Sequence, residues 1–202
     1  MPAPVSGRQP MQSARNARTS AAKSGNHRGD GLPDILAPGL DVVFCGINPG
    51  RRAVASGHHF DGRGNRFWRV LYLAGFTPVS MTPAQDRLLP ALGCGLTTVV
   101  GRATASASEL AAHEFAAAAE GFVAKIRACE PRHLAFLGKA AYAGMTGRQE
   151  LAWGRQAEPF AGAQAWVLPN PSGLNRAFSL DDLVAAYKAS RVASASGPAK
   201  RP

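Results

Sequence analysis

The chain has 202 residues, 46% of them hydrophobic, which is enough for one good core and too little for two large domains. Its formal charge of +10 favours a polyanionic partner, most often nucleic acid, although part of that charge lies near the two ends. Three cysteines without close spacing and the lack of a long apolar run exclude a disulfide framework, a cysteine metal cluster and a membrane span.

Composition divides the chain into three parts. Residues 1–31 are rich in Ser, Ala, Gly, Asn and Arg, and we expect a disordered basic tail there. Residues 193–202 are similarly poor in large hydrophobic side chains and are expected to form a second disordered tail. A single folded domain is predicted for residues 32–192.

Strand-like and helix-like segments alternate within residues 32–192. Short apolar runs predict strands at 42–45, 96–100, 133–137 and 165–168. Helical patterns occupy 66–74, 83–92, 108–129 and 179–191, and another helix opens after Gly138. Asn65 is the expected cap of the first of these helices, and Ser179 with Asp182 forms a capping-box-like start of the last. Phe67 and Trp68 are expected to be core residues because of their helical spacing. Residues 153–160 are predicted to be irregular or to form an edge strand. This alternation indicates an α/β domain with a parallel-type sheet and helices on both faces.

Two Asn-Pro loops follow predicted strands. Residues 46–50 read Gly-Ile-Asn-Pro-Gly, and residues 169–176 read Pro-Asn-Pro-Ser-Gly-Leu-Asn-Arg. In open α/β sheets, ligands bind in the crevice beyond the carboxyl ends of the strands. We therefore predict that the two loops converge on one pocket.

Familiar cofactor and metal motifs are missing from the sequence. It contains no dinucleotide fingerprint, no phosphate-binding loop, no His-Glu-x-x-His motif, no paired CxxC and no Gly-x-Ser-x-Gly elbow. We expect no cofactor and no metal. Amide-rich loops, aromatic side chains and positive charge remain, and together they suit a planar, base-sized ligand.

Three separated motifs carry a resemblance to a known family. Residues 46–50, 64–68 (Gly-Asn-Arg-Phe-Trp) and 170–176 occur in the order found in mismatch-specific uracil-DNA glycosylases and their thymine-DNA glycosylase relatives. The similarity runs from about residue 34 to residue 187. It implies a three-layer α/β/α sandwich around a short, mostly parallel central sheet.

The resemblance also implies an activity. Such an enzyme flips uracil out of the DNA stack, hydrolyses its N-glycosidic bond opposite guanine and leaves an abasic site. It would be a monofunctional glycosylase of base excision repair, working without a cofactor. Its partner would be double-stranded DNA with G:U or G:T mismatches, and we expect a monomer in the bacterial cytoplasm or nucleoid.

Pocket roles follow from the resemblance. Asn48 matches the residue that positions the attacking water, although an amide cannot act as a general base. Phe60 matches the aromatic residue that stacks on the flipped base; alternatively, it is a core residue. Backbone N–H groups near Ile47 and Phe60 would stabilise the departing base anion, and Asn170 would bind the base edge.

The second Asn-Pro loop matches the wedge of the family. Leu174 would fill the vacated stack, while backbone groups of Gly173 and of following residues such as Asn175 would meet the widowed guanine. Arg176 would support the loop or contact the DNA backbone. The alternative for Leu174 is an ordinary buried loop anchor.

Three further residues are assigned less narrowly. Ala53 stands where the thymine-specific relatives carry alanine, which leads to the hypothesis that thymine or 5-substituted uracil is also accepted. Asp61 either activates water in place of Asn48 or belongs to an ordinary Asp-Gly turn. His59, or the neighbouring His58, is a candidate donor to the leaving base or to a phosphate.

A non-catalytic interpretation is also open. The same basic, amide-lined fold suits a damaged-DNA binding module or a repair scaffold without activity. The charged residues Arg51, Arg52 and Lys139 are either solvated or in contact with phosphates.

Overall fold

The computed structural model describes residues 31–195, so nearly all of both predicted tails lies outside the described residues. Within these residues, the five strands are β1 (Val42–Gly46), β2 (Cys94–Thr98), β3 (His133–Leu137), β4 (Gly154–Arg155) and β5 (Gln164–Leu168). The α-helices of the described part are α1 (Arg51–Ser56), α2 (Phe67–Leu73), α3 (Ala112–Cys129), α4 (Lys139–Thr146) and α5 (Leu180–Ala195). Two 3₁₀ helices span Pro83–Leu92 and Ala107–Glu109.

The strands form one sheet in the order β2-β1-β3-β5-β4. The pairs β1–β2, β1–β3 and β3–β5 are parallel, and the two-residue β4 pairs antiparallel with β5 at one edge. The predicted α/β class and mostly parallel sheet are therefore confirmed. Of the two alternatives for residues 153–160, irregular or edge strand, the structure has a two-residue edge strand at Gly154–Arg155.

Successive side chains of the central strands enter two separate cores because a strand points its residues alternately to either face. Val42 and Phe44 join a cluster that contains buried residues of α2 and α5. Val43 and Cys45 join a second cluster that contains buried residues of α3 and α4. This arrangement confirms the predicted three-layer sandwich.

Several predicted boundaries differ from the structure. Strand β2 begins and ends two residues before the predicted 96–100, because its pairing with β1 starts at Cys94 opposite Val42. The predicted helix 108–129 is divided: a capping box of Ser106 and Glu109 starts a 3₁₀ turn, and Leu110 returns to extended backbone before α3 begins. Helix α1 was not predicted, and α5 continues to Ala195, beyond the expected domain end at 192.

Helix starts agree better with the sequence patterns. The Ser179 N–H and hydroxyl donate to Asp182 at 2.8 and 2.7 Å, which is the capping arrangement predicted for the last helix. Asn65 was predicted to cap the helix over 66–74. Its Oδ1 accepts the Phe67 N–H at 3.0 Å, although the N-cap position itself is Arg66. Within residues 31–195, no helix has both the length and the apolar character needed to cross a membrane.

The order of the sheet determines where a crevice opens. Strand β1 lies between β2 and β3. After β1, the chain first forms β2 on one side of it and later forms β3 on the other side. Such a switch point separates the loops at the carboxyl ends of adjacent parallel strands. The 46–50 loop leaves β1 at this end of the sheet, and the loop at 170–176 follows β5 at the same end.

Candidate active site

A cavity of about 380 Å³ opens at the carboxyl ends of β1, β3 and β5, within the range of small-molecule sites. Both Asn-Pro loops contribute to it, which confirms the prediction that they converge. Every predicted catalytic and base-pocket residue lies in its wall, as does the tip of the second loop: Ile47, Asn48, Ala53, His59, Phe60, Asp61, Asn170 and Leu174.

The side-chain amide of Asn48 is held in one orientation. Its Nδ2 donates to the carbonyl oxygen of Arg102 at 2.8 Å and to Oγ1 of Thr104 at 2.7 Å. Because a backbone carbonyl can only accept, the contact with Arg102 identifies the NH₂ end of the amide. The Oδ1 atom of Asn48 has no hydrogen-bond partner among residues 31–195 and is available as an acceptor.

The segment that orients Asn48 is itself tied to the 46–50 loop. The Thr104 N–H donates to the Pro49 carbonyl at 3.2 Å, and the Arg51 N–H donates to the Thr104 carbonyl at 3.3 Å. The guanidinium of Arg102 binds both carboxylate oxygens of Glu114, at 2.7 and 2.8 Å, and this hydrogen bonding lowers the Glu114 pKa to about 2. The Asn48 side chain is therefore bound to a segment, residues 102–104, that is itself held in place by hydrogen bonds.

Phe60 forms an aromatic wall of the cavity. Its ring stacks on Phe67, with centroids 3.8 Å apart and planes 19° apart, and it is half-buried. Its backbone has φ of 56°, which is uncommon for a residue with a bulky side chain. Phe67 and Trp68 are buried in the core, as the helical spacing indicated. Phe60 thus packs against the core and still borders the cavity.

Two backbone donors beside the cavity are unoccupied. Within residues 31–195, neither the Ile47 N–H nor the Phe60 N–H has a hydrogen-bond acceptor. Both residues belong to the wall, so these groups are available to a bound anion or carbonyl oxygen.

Asp61 adds a carboxylate to the cavity wall. Hydrogen bonds from the Ser56 hydroxyl and from Arg52 lower the pKa of Asp61, so it is ionised at neutral pH. The Nε of Arg52 lies 3.1 Å from Oδ1 of Asp61. The Gly62 N–H donates to the Phe60 carbonyl at 3.0 Å, which makes Asp61 part of a tight turn as well as part of the wall.

His59 and Ala53 are both buried wall residues. His59 is 3% exposed, and burial lowers its pKa. Its Nε2 donates to the Pro33 carbonyl at 2.9 Å, so the proton of the neutral ring is used within the protein rather than offered to a ligand. Ala53 is 4% exposed and presents only a methyl group from α1.

Asn170 presents the opposite end of its amide from Asn48. Its Oδ1 accepts the Ser172 N–H at 2.9 Å, an assignment that follows because a backbone N–H can only donate. Its Nδ2 has no acceptor among residues 31–195. The Asn170 carbonyl accepts from Nδ2 of Asn175 at 2.9 Å, which fixes the start of the second loop.

Leu174 lies at the exposed tip of the second loop. Its side chain is 75% exposed, the highest value among the large hydrophobic residues described. The alternative of a buried loop anchor is therefore wrong. The Leu174 N–H donates to Oγ of Ser172 at 3.2 Å, and the Asn175 N–H donates to the Ser172 carbonyl at 3.0 Å. A fixed backbone thus carries an exposed apolar side chain.

Gly173 packs against the loop before α2. A Cβ atom at Gly173 would lie 2.8 Å from the carbonyl oxygen of Gly64 and 3.0 Å from that of Arg63. Any larger residue would push the two loops apart. The second and third motifs of the sequence are therefore in direct backbone contact.

A family comparison agrees with this geometry. The model of the uracil DNA glycosylase superfamily matches residues 33–191. The chain belongs to the uracil DNA glycosylase superfamily. A solution NMR structure of a candidate uracil DNA glycosylase from Methanosarcina acetivorans is similar in fold, with a TM-score of 0.55 at 20% identity. The match covers 80% of this chain and 96% of that one.

Two positioning residues of this superfamily member were missed by sequence reasoning. Thr104 lies 56 positions after Asn48, and no local pattern connects the two. Arg66 was assigned only to a helix, but its guanidinium donates to carbonyls of the second loop and beyond it: Ser172 at 3.2 Å, Asn175 at 2.7 Å and Phe178 at 2.6 Å.

Arg66, rather than Arg176, therefore supports the second loop. Arg176 is exposed, which leaves contact with the DNA backbone as its predicted role. Arg66 lies between Asn65 and Phe67 in one of the three sequence motifs, and this position was the signal that could have indicated a role at the site. Within the part of the chain that the structure describes, no group of three His, Cys, Asp or Glu side chains is placed to hold a metal ion.

Proposed function

We propose that this superfamily member is a monofunctional DNA glycosylase that hydrolyses the N-glycosidic bond of uracil mispaired with guanine. The observation that carries the proposal is the pairing of a cavity with an exposed apolar tip at one edge of the sheet. The cavity offers the Oδ1 acceptor of Asn48, and Leu174 lies on its rim. A site that acts on a base within a duplex needs both a pocket and a group that replaces the base.

Base flipping is the first step. Positive charge on the protein attracts the duplex, and Leu174 enters the stack as the target base leaves it. Its burial offsets an unstacking cost of a few kcal/mol, on the order expected for one base step. Backbone groups of Gly173 and Asn175 face the widowed guanine, which favours a guanine opposite the uracil.

The flipped base is held by two side chains, those of Phe60 and Asn170. The face of Phe60 that is not covered by Phe67 stacks on the pyrimidine ring. The free Nδ2 of Asn170 donates a hydrogen bond to a base carbonyl. An adenine or cytosine amino group at the same place is itself a donor and would not accept this hydrogen bond. The pocket thereby selects a base with a carbonyl on that edge.

Hydrolysis follows with a water held by Oδ1 of Asn48. The water oxygen bonds to C1′ of the deoxyribose as the C1′–N1 bond breaks, and the electron pair of that bond leaves with the base. The N–H groups of Ile47 and Phe60 stabilise the base anion, and the proton lost by the water goes to the departing base or to solvent. Asn48 orients the water but takes no proton, so leaving-group stabilisation is the main source of rate.

The substrate range is proposed to extend beyond uracil. Ala53 contributes only a methyl group to the wall, which leaves room for a substituent at C5 of the base, as in thymine. The partner is double-stranded DNA with G:U or G:T pairs, bound by a monomer in the bacterial cytoplasm or nucleoid.

A labelled duplex tests the proposal directly. A duplex with one U:G pair is incubated with the protein and then heated in alkali, which breaks the strand only where a base was removed. Cleavage at the uracil, strongly slowed in Asn48→Ala, supports a glycosylase. Binding without alkali-labile breaks supports the non-catalytic damage-binding alternative. Parallel T:G and single-stranded uracil substrates test the wider range, and failure to cut either while U:G is cut would exclude it.

A further inference from the structure

Asp86 is a buried carboxylate outside the cavity, and it holds the loop that carries Phe60. It lies in the 3₁₀ helix Pro83–Leu92 and is 1% exposed. Its Oδ2 accepts the His59 N–H at 3.0 Å, and its Oδ1 lies 3.3 Å from Nδ1 of His58. Buried carboxylates are rarely found without such partners, so these contacts account for the position of Asp86.

His59 is fixed from two further directions. Its Nε2 donates to the Pro33 carbonyl at 2.9 Å, and its own carbonyl accepts from Nε1 of Trp68 at 3.2 Å. The residue immediately before Phe60 is thus bound by three segments that are far apart in sequence, two through its backbone and one through its side chain. Asp86 is the member of this set that also contacts the ring of His58.

Phe60 needs such support because its backbone is strained. Its φ of 56° lies in the left-handed region, which costs free energy for a residue with a Cβ atom. Strain of this kind persists only where the surroundings over-determine the conformation. The Phe60 N–H has no acceptor within residues 31–195, and its carbonyl accepts only from Gly62, so the restraint comes from its neighbours.

We propose that Asp86 is a positioning residue for base recognition. By binding the backbone of His59 and the ring of His58, it keeps Phe60 in the strained conformation. In that conformation the Phe60 ring stacks on Phe67 and borders the cavity. Asp86 touches no substrate and acts through Phe60, so the inference rests on the base-stacking role proposed for Phe60.

A double-mutant cycle tests this link. Asp86→Ala is expected to lower kcat/KM for a U:G duplex by about 10- to 100-fold, mainly through KM, because a displaced stacking ring binds the flipped base poorly. Asp86→Asn is expected to recover most of the loss, because the amide oxygen still accepts the His59 N–H. The double variant Asp86→Ala with Phe60→Ala is expected to be no worse than Phe60→Ala alone.

Asp182→Ala is the matched control. Asp182 also accepts a backbone N–H, that of Ser179 at 2.8 Å, but it serves the start of α5. The Asp182→Ala variant is expected to have a lower Tm and an unchanged kcat/KM. If Asp86→Ala behaves like this control, or if its effect simply adds to that of Phe60→Ala, Asp86 is only structural and the proposal is overturned.

A measurement without turnover separates this inference from the proposed function. Stacking on Phe67 shifts the ring-proton NMR signals of Phe60 in the unliganded protein. We expect Asp86→Ala to abolish that shift, and Asp86→Asn and Asp182→Ala to retain it. Unchanged Phe60 signals in Asp86→Ala would refute the positioning role, whereas a wild-type protein that cuts no substrate would refute only the proposed activity.

Discussion

The two Asn-Pro loops leave parallel strands at the same edge of the sheet, but they present opposite ends of their asparagine amides. Asn48 uses its NH₂ group within the protein and leaves its oxygen available, whereas Asn170 uses its oxygen and leaves its NH₂ group available. The first can therefore accept a hydrogen bond from water, and the second can donate one to a base carbonyl. Identical dipeptides thus acquire different chemistry from their hydrogen-bond partners.

The loops also differ in what surrounds them. The 46–50 loop is bound along its length to the segment around Thr104, and Ile47 is 8% exposed. The 170–176 loop is fixed at its base by Arg66, and its tip projects Leu174 into solvent. A buried, rigid loop suits the positioning of a reactant, while an exposed tip on a fixed base suits insertion into DNA. Substitutions in each loop should separate these roles.

The largest effect is expected for Asn48→Ala. Loss of the oxygen that we propose to hold the attacking water should lower the single-turnover rate of uracil release by about 100- to 1,000-fold, as for other groups that act in the transition state. Binding to a duplex should change little, because Leu174 is intact. If the single-turnover rate of Asn48→Ala falls by less than about threefold, Asn48 does not hold the water, and Asp61 becomes the candidate for that role.

Thr104→Val should have the next largest effect. Valine keeps the shape but removes the acceptor for Nδ2 of Asn48, so the amide can rotate and present either end. We expect the single-turnover rate to fall by about 10- to 50-fold, because the water is held in the wrong place part of the time. An unchanged rate with an unchanged Tm would show that the Arg102 carbonyl alone orients the amide.

Leu174→Ala tests the second loop. Losing about 1.5 kcal/mol of apolar burial within the DNA stack should reduce kcat/KM on a U:G duplex by about tenfold. A single-stranded uracil substrate, which has no duplex stack to fill, should be cut almost as well as by the wild type. An equal loss on both substrates would indicate that Leu174 belongs to the base pocket instead.

Arg176→Ala should act on binding alone. If the exposed guanidinium contacts one phosphate, its loss should reduce the slope of log Kd against log salt by about one, with the single-turnover rate unchanged. Arg66→Ala is the contrasting variant. It breaks the support of the wedge and should lower Tm and duplex cleavage together, leaving the salt slope near that of the wild type.

The smallest effect is expected for Asp61→Asn. We expect its cleavage rate near neutral pH to stay within about threefold of the wild type, since the carboxylate serves a turn and an ion pair with Arg52. The pKa of Asp61 is lowered by Ser56 and Arg52, so its contribution to stability is present above the ordinary carboxyl pKa of about 3.9 and is lost as the pH falls below it.

Thermal unfolding of both proteins over a pH series measures this contribution. In acid, the Tm of the wild type should fall more steeply with decreasing pH than the Tm of Asp61→Asn. Above neutrality, the two Tm values should change with pH by equal amounts. A large loss of cleavage in Asp61→Asn at neutral pH, with Tm unchanged, would instead make Asp61 the residue that activates the water.

Local patterns were sufficient for the class of fold and for the position of the pocket. The runs at 42–45, 133–137 and 165–168 are short, apolar and buried, so each one predicts a strand without reference to its neighbours. Loops at the carboxyl ends of parallel strands meet at one edge for any sequence with this topology. The convergence of residues 46–50 and 170–176 could therefore be predicted.

Contacts between distant segments decided the rest. The Asn48 amide is bound by Thr104, the second loop is bound by Arg66, and the residue before Phe60 is bound by Asp86. Helix α1 and the division of the predicted helix 108–129 likewise follow from caps and pairings rather than periodicity. Composition and motifs determined which chemical groups are available; hydrogen bonds across the folded chain determined which atom of each group is left without a partner among residues 31–195.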